Sequence, residues 1–445
     1  MFKKSFLYLS LLALLAIQSC STHKIAVGDG ASWLARELKS TEGLQDHDFG
    51  FALYDPASSK WLYRRKADKY FTPASNTKIL TLYTALHYLQ DSTETLRYTH
   101  RGDPSTGDTL IFWGTGDPSL LYHDFTSEHV LDFLRSHEGP LYYAPREEVK
   151  KYGPGWAWDD YPYRYQVEKS TLPVYGNRVT FSRLSLALDG QITPDYFRQY
   201  VIENPEQDVF VKRLPDANSF EMNALLIDAL PFEKEIPFVV SPYEVASILS
   251  EIIGRKVELD YRFHDKENYE VIHGVPLDSL YQIMMHDSDN FIAEQLLLLC
   301  ANEMHEEYST KYVIKHTQND LFADVPDAFQ WFDGSGLSRY NLFTPRSLVW
   351  LLDKLQEEKG LDYIREVFAG GGESGTIEGW YAGSKGPYVF AKTGTLRNHH
   401  CLSGYLITES GKTLIFSFMH QNYIGSSIQI KEGMQSILES IHMKY

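Results

Sequence analysis

The segment Thr72-Pro73-Ala74-Ser75-Asn76-Thr77-Lys78-Ile79-Leu80-Thr81-Leu82-Tyr83-Thr84-Ala85-Leu86 opens on a proline and continues to Leu89 as a mostly apolar run without proline or glycine. Proline disfavours helix in the residue before it, so a helix belongs after Pro73, with Ser75 in its first turn. The apolar content marks that helix as buried. Ser75 and Lys78 are three residues apart, which places them on one helix face about one turn apart. A desolvated or cation-flanked lysine amine gives up its proton more readily and acts as a base toward a neighbouring hydroxyl. The helix N-terminus adds a partial positive potential that favours a developing oxyanion.

Ser-x-x-Lys alone is weak evidence. A second copy, Ser21-Thr22-His23-Lys24, lies in a polar stretch with no such context, and a capping serine beside a solvated lysine has the same spelling. Two further motifs follow in order, Ser288-Asp289-Asn290 and Lys392-Thr393-Gly394-Thr395. Ser288 and Asn290 alternate ahead of a helical run and are expected to face one cleft, offering a hydroxyl for proton transfer and an amide for the substrate backbone. Lys392-Thr393-Gly394 is expected to end a strand at a sheet edge. Its cation and hydroxyl suit a terminal carboxylate, with Thr395 beside them, and Gly394 leaves room for strand-like docking of an acyl donor. In this order the trio resembles that of class A β-lactamases and penicillin-binding proteins.

More of the chain resembles one family, the low-molecular-mass class C penicillin-binding proteins, D-alanyl-D-alanine carboxypeptidases and endopeptidases of peptidoglycan. Gly114-Thr115-Gly116-Asp117-Pro118, Gly155-Trp156-Ala157-Trp158-Asp159-Asp160, Asp333-Gly334-Ser335-Gly336-Leu337-Ser338-Arg339 and Thr344-Pro345-Arg346 are similar to its other signature segments. The resemblance runs from about residue 30 to the C-terminus. It implies that Asp160 and Arg339 recognise the ionised end of a diaminopimelate side chain, an acid for the amine and an arginine for the carboxylate. Arg397 follows Leu396 where the family carries glutamine, a departure that bears on fine substrate preference. Gly114-Thr115-Gly116 is not a nucleotide loop, since no third glycine opens a helix.

Over two hundred residues separate Ser75 from Ser288, far more than class A β-lactamases allow, and their composition is distinct. The stretch 96–240 is rich in turn residues and aromatics with short strand-like runs, whereas helices return at Pro242–Ile253, Leu277–Met285 and Phe291–Tyr308. Before it lie a short helix (Ser32–Lys39) and a hairpin within 48–65. After it come strands at Tyr388–Ala391, Cys401–Ile407 and Thr413–His420 and a helix at Ile428–Met443. The expected fold class is α/β (α+β): a penicillin-recognising, transpeptidase-like domain with an antiparallel sheet flanked by helices and a β-rich inserted region. Its expected parts are 32–95 with 241–445, interrupted by 96–240. The aromatics from Trp156 to Tyr165 are read as the packed core of the insertion in preference to a glycan-stacking surface.

Met1-Phe2-Lys3-Lys4 and the apolar run to Ile17 form a secretory signal, too short to span a bilayer. Ile17-Gln18-Ser19-Cys20 resembles a bacterial lipobox, which implies a signal peptide over 1–19, a lipid anchor on Cys20 and a tether over 20–31. Ser21 after the cysteine is similar to outer-membrane sorting in enterobacteria, so the expected location is the cell envelope: periplasm, outer membrane ahead of inner. Cys300 and Cys401 are read as buried free thiols, with a disulfide open to them in an oxidising compartment. His399-His400-Cys401 cannot converge on one metal ion from adjacent strand positions. The chain has 42 Lys and Arg against 59 Asp and Glu, a formal net charge of -17, which argues against nucleic acid as a partner.

Together these readings imply a serine DD-peptidase in which Ser75, Lys78, Ser288, Asn290 and Lys392 are catalytic. Thr393, Gly394, Thr395, Asp160 and Arg339 bind substrate. Its partners are peptidoglycan stem peptides and acylating β-lactams, and the chemistry needs no metal or organic cofactor. The competing readings are a β-lactamase or esterase on the same scaffold and a non-catalytic wall-binding lipoprotein.

Overall fold

The computed structural model describes residues 29–102, 108–146, 149–183, 190–223, 226, 231–263, 268–304 and 308–445. The expected signal segment, Cys20 and the first part of the tether lie outside the described residues. The end of that tether is helical: α1 spans Asp29–Ser40, starting earlier than the expected Ser32.

A hairpin of β1 (Asp48–Asp55) and β2 (Lys60–Arg65) follows. The three late strands are β3 (Val389–Leu396), β4 (His399–Ile407) and β5 (Thr413–Gln421). Together they form one antiparallel five-stranded sheet in the order β3-β4-β5-β1-β2. Phe51 sits opposite Phe418, and Lys392 opposite Ser403. Side chains alternate across the sheet, so β5 sends Leu414, Phe416 and Phe418 to one core and Ile415 and Met419 to another.

Each face is covered. The first core includes Leu34 and Leu38 of α1 and Ile437, Leu438 and Ile441 of the terminal helix Ile428–Lys444. The second includes residues of α2 (Lys78–Tyr88), α3 (Leu277–His286), α4 (Asn290–Glu303) and α5 (Pro345–Val367). This is the expected sheet between helical layers. α4 is buried from Phe291 through Asn302, so it is a central helix with no solvent face, and its Glu294 and Gln295 need partners inside the protein.

The middle of the chain builds a separate core around Leu96, Phe112, Leu141, Val179, Phe181, Phe197 and Phe220. Its largest sheet has five strands, Ser92–Arg101, Thr109–Gly114, Leu141–Tyr143, Val257–Leu259 and Glu270–Pro276. The helix Pro242–Ile253 contributes Val245, Ile248 and Leu249 to this same core. The expected return at residue 241 therefore falls inside the middle core. The helical character of 242–253 was legible from its period, but its packing partner was not. After these strands the chain returns to the second core at Leu277.

Cys300 and Cys401 are both buried free thiols, so the disulfide is not formed. Among the described residues no helix is long and apolar enough to cross a membrane.

Candidate active site

Ser75 lies in a 3-10 turn, Ala74–Thr77, that feeds into α2, so the α-helix proper begins at Lys78 rather than around Ser75. Ala74 takes a left-handed backbone at φ 47 to make this turn. Lys78 is fully buried, and its Nζ donates to Ser75 Oγ at 3.0 Å, Asn290 Oδ1 at 2.6 Å and the Ser335 carbonyl at 2.7 Å. Burial pushes Lys78 down to about 8, against the opposing charges of Asp289, Asp333 and Glu294. A neutral amine has two N–H bonds and one lone pair. Asn290 Oδ1 and the Ser335 carbonyl only accept, so they take the two hydrogens and leave the lone pair facing the Ser75 hydroxyl. An amine held this way can accept a proton from the hydroxyl it faces.

The other motifs reach the same place. Asn290 begins α4, and Asp289 caps it by accepting from Ile292 N at 2.8 Å. Ser288 precedes it with a left-handed backbone at φ 62. Asn290 Nδ2 donates to the Tyr165 carbonyl at 2.9 Å, which ties the cleft to the Trp-x-Trp segment. Lys392 is buried within β3, an edge strand that continues through Thr393, Gly394 and Thr395 to Leu396 rather than ending at Gly394. Burial, followed by the nearby Lys78 charge, pushes Lys392 well below the ordinary lysine range. A Cβ on Gly394 would lie 2.3 Å from the Pro73 carbonyl and 3.0 Å from Ser75 N, so the strand passes the Ser75 turn only because this residue has none. Thr393 Oγ1 pairs with Thr376 Oγ1 at 2.7 Å, and Thr395 Oγ1 with His400 Nδ1 at 2.8 Å. Burial holds His400 down to about 3, so it is a neutral partner.

Asp160 ends a short turn, Trp158–Asp160, and is half-buried, whereas Arg339 is exposed. No hydrogen bond or ion pair among the described residues joins the two, but their segments dock. Ser338 Oγ donates to the Pro154 carbonyl at 2.7 Å, and Trp156 Nε1 to Asp333 Oδ2 at 2.8 Å. The aromatic cluster is not a packed core: Trp158 is 82% exposed, Tyr163 53% and Tyr165 40%, the two tyrosines stacking at 5.4 Å. Amphipathic rings tolerate a wet surface, which composition alone did not distinguish from a core.

Several supports of the site leave little trace in the sequence. Asn76 Nδ2 donates to the Lys392 carbonyl at 2.8 Å and its Oδ1 accepts from Ser403 Oγ at 2.6 Å, joining the Ser75 turn to β3 and β4. Ser335 contributes its carbonyl, and Glu294 holds the turn that carries it. A charge inside the apolar run of α4 was the available signal for Glu294. Asn76 and Ser335 carried none beyond lying within motifs.

The model of the D-Ala-D-Ala carboxypeptidase 3 (S13) family matches residues 31–193 and 256–441. A D-alanyl-D-alanine carboxypeptidase of Actinomadura sp. is 25% identical over 424 residues, covering 84% of this chain and 78% of that protein. The D-alanyl-D-alanine carboxypeptidase DacB of Haemophilus influenzae is 28% identical over 166 residues, 35% of this chain and only 34% of that protein's length. The crystal structure of penicillin-binding protein 4 from the same organism superposes with a TM-score of 0.74 at 19% identity, covering 93% of this chain and 99% of that one. A predatory peptidoglycan endopeptidase from Bdellovibrio bacteriovorus shares the fold less closely, with a TM-score of 0.52 at 17% identity over 89% and 94% of the two chains. The chain belongs to the D-Ala-D-Ala carboxypeptidase 3 (S13) family of serine DD-peptidases.

Proposed function

We propose that the protein hydrolyses D-alanyl-D-alanine ends, or D-centred crosslinks, of peptidoglycan stem peptides through an acyl-enzyme on Ser75. The observation that carries this reading is the Lys78 amine, buried and held by two acceptors with its third position on Ser75 Oγ. Ser75 Oγ attacks the carbonyl carbon, and its proton passes to Lys78 Nζ as the C–O bond forms. The backbone N–H of Ser75 and one from β3 beyond Gly394 receive the oxyanion. The C–N bond then breaks as the leaving amine takes a proton relayed through Ser288. Water attacks the ester, releases the shortened peptide and restores Ser75. Lys392 and Thr393 receive the terminal carboxylate of the substrate, and Asp160 and Arg339 meet the ends of a diaminopimelate side chain.

β-Lactams acylate the same serine in this scheme. The domain pattern supports a catalytic unit interrupted by an accessory one, the interruption extending to about residue 276. The segment before residue 29 fits a signal followed by a lipid anchor at Cys20, holding the enzyme in the envelope, on the outer membrane in preference to the inner.

Labelling with fluorescent penicillin, repeated on Ser75→Ala, tests the nucleophile; labelling that persists in the variant overturns it. Digestion of muropeptides followed by mass analysis separates loss of one D-alanine from opening of crosslinks. Rapid turnover of a chromogenic cephalosporin would favour a β-lactamase instead. Globomycin-sensitive processing, with lipid on the mature N-terminus, tests the anchor.

A further inference from the structure

Glu294 is a carboxylate in the middle of a fully buried helix, and none of the steps above uses it. Its Oε1 accepts from Gly334 N at 2.8 Å, Ser335 N at 2.9 Å and Ser335 Oγ at 2.7 Å. Its Oε2 faces Lys169 Nζ at 3.4 Å, with the two side chains only 2% and 3% exposed. Asp333 grips the next peptide unit: its Oδ1 accepts from Gly336 N at 3.0 Å and from Asn341 Nδ2 at 2.6 Å. Two buried acids so close are costly unless their geometry is needed. Burial, and then Glu294, push Asp333 above the usual carboxylate range.

The N–H and C=O of a trans peptide point in opposite directions. Holding Ser335 N on Glu294 turns the Gly334 carbonyl outward to Thr81 Oγ1, at 2.7 Å. Holding Gly336 N on Asp333 turns the Ser335 carbonyl to Lys78 Nζ. Three successive peptide units are thereby fixed, and the last supplies one of the two acceptors that aim the Lys78 lone pair. Gly336, at φ 87, lets the turn approach, since a Cβ there would lie 1.9 Å from the Ala74 carbonyl. Lys169 belongs to the middle stretch of the chain, and its neighbour Ser170 is held by Gln295, which accepts from Ser170 N at 3.2 Å. The clamp thus links that stretch to the base.

We propose that Glu294 and Asp333 are positioning residues that fix the 334–336 turn so that the Ser335 carbonyl orients Lys78 toward Ser75, with Lys169 anchoring the clamp to the inserted region. The proposal rests on the reading of Ser75 and Lys78 as nucleophile and base. The charged groups facing Lys78 are Asp289 at the N-cap of α4, Glu294 within it, Asp333 in the turn and Lys392 on β3.

The test is Glu294→Gln, which keeps the shape and removes the charge. The second-order rate of acylation by fluorescent penicillin is expected to fall about tenfold to hundredfold, as for a misplaced catalytic group. An anion that holds Lys78 up is also lost, so the acid limb of the rate profile, and the titration of Lys78 followed by NMR on labelled lysine, should both move to lower pH. A folded variant with unchanged rate overturns the proposal whatever its titration does, as does a rate loss with neither limb nor titration moved, which marks a merely structural role. If Glu294→Gln does not fold, Lys169→Met with Glu294→Gln, which strands no buried cation, receives the same measurements and the same criteria. Failure of the wild type to be acylated would instead sink the DD-peptidase reading.

Discussion

Arg178 Nη2 donates to Asp289 Oδ2 at 3.0 Å, so the middle residue of Ser288-Asp289-Asn290 is tied to the strand Arg178–Arg183. The Tyr122 hydroxyl donates to the same oxygen at 3.0 Å. The loop that presents Asn290 to Lys78 is therefore held from behind by residues more than a hundred positions earlier. A motif that reads as local is anchored by the middle stretch of the chain.

Asp289→Asn is expected to destabilise the protein by about 3–5 kcal/mol, because it leaves the buried Arg178 guanidinium without its anion. Burial pushes the Asp289 carboxyl up, but Arg178 and the hydrogen bonds outweigh it and hold the group below the usual range. Its folded pKa is depressed, so its stabilisation is present above the unfolded value of about 3.9 and is lost as pH falls through the folded one. Urea unfolding of both proteins should show a difference that shrinks in strong acid. A constant difference would contradict the ion-pair account.

Acylation by penicillin should rise with pH through about 8, the value to which burial brings Lys78, because only the neutral amine accepts the Ser75 proton. Lys78→Ala should lower the rate by at least about a hundredfold and abolish that limb. Stopped-flow acylation across the pH range checks both.

Gly394→Val should impair acylation while leaving most of the sheet intact. The new Cβ meets the Pro73 carbonyl and the Ser75 amide, backbone atoms that cannot swing aside, so β3 must move off the Ser75 turn. The readout is the acylation rate compared with the melting temperature; a large thermal shift with a normal rate in the folded fraction would refute the steric argument.

Asn76→Ala should cost about 1–3 kcal/mol, since the Lys392 carbonyl and the Ser403 hydroxyl lose a buried partner. It should also loosen the register between the Ser75 turn and β3. Denaturant unfolding measures the first effect, and hydrogen exchange at the β3 amides the second.

Arg339→Ala should leave penicillin acylation near the wild-type rate but lower kcat/KM on a diaminopimelate stem peptide by about tenfold, through loss of a charge-assisted contact. Equal losses on both substrates would remove Arg339 from side-chain recognition.

Much of this molecule was legible in its letters, for identifiable reasons. The helix Pro242–Ile253 was bounded by a serine cap, which accepts from Glu244 N, and by Gly254 at φ 69, both local features. The strands β4 and β5 announced themselves as apolar runs between turns. Motif order and spacing brought Ser75, Lys78, Asn290 and Lys392 to one place before any contact was known. Other features were not local. Nothing in 242–253 says which core it joins, and nothing in Trp158, Tyr163 or Tyr165 says that they stand at the surface.

The order of residues alone settles the chemical inventory: a serine with a lysine one turn away, an amide ahead of a buried helix, and a lysine on an edge strand. These depend on helix and strand periods, which act over a few residues. The state of that inventory comes from packing. The proton affinity of Lys78 is set by its burial and by three acids from distant segments, and its orientation by the carbonyl of Ser335. Desolvation and hydrogen-bond direction depend on which segments meet, and that is a property of the packed chain rather than of any stretch of it.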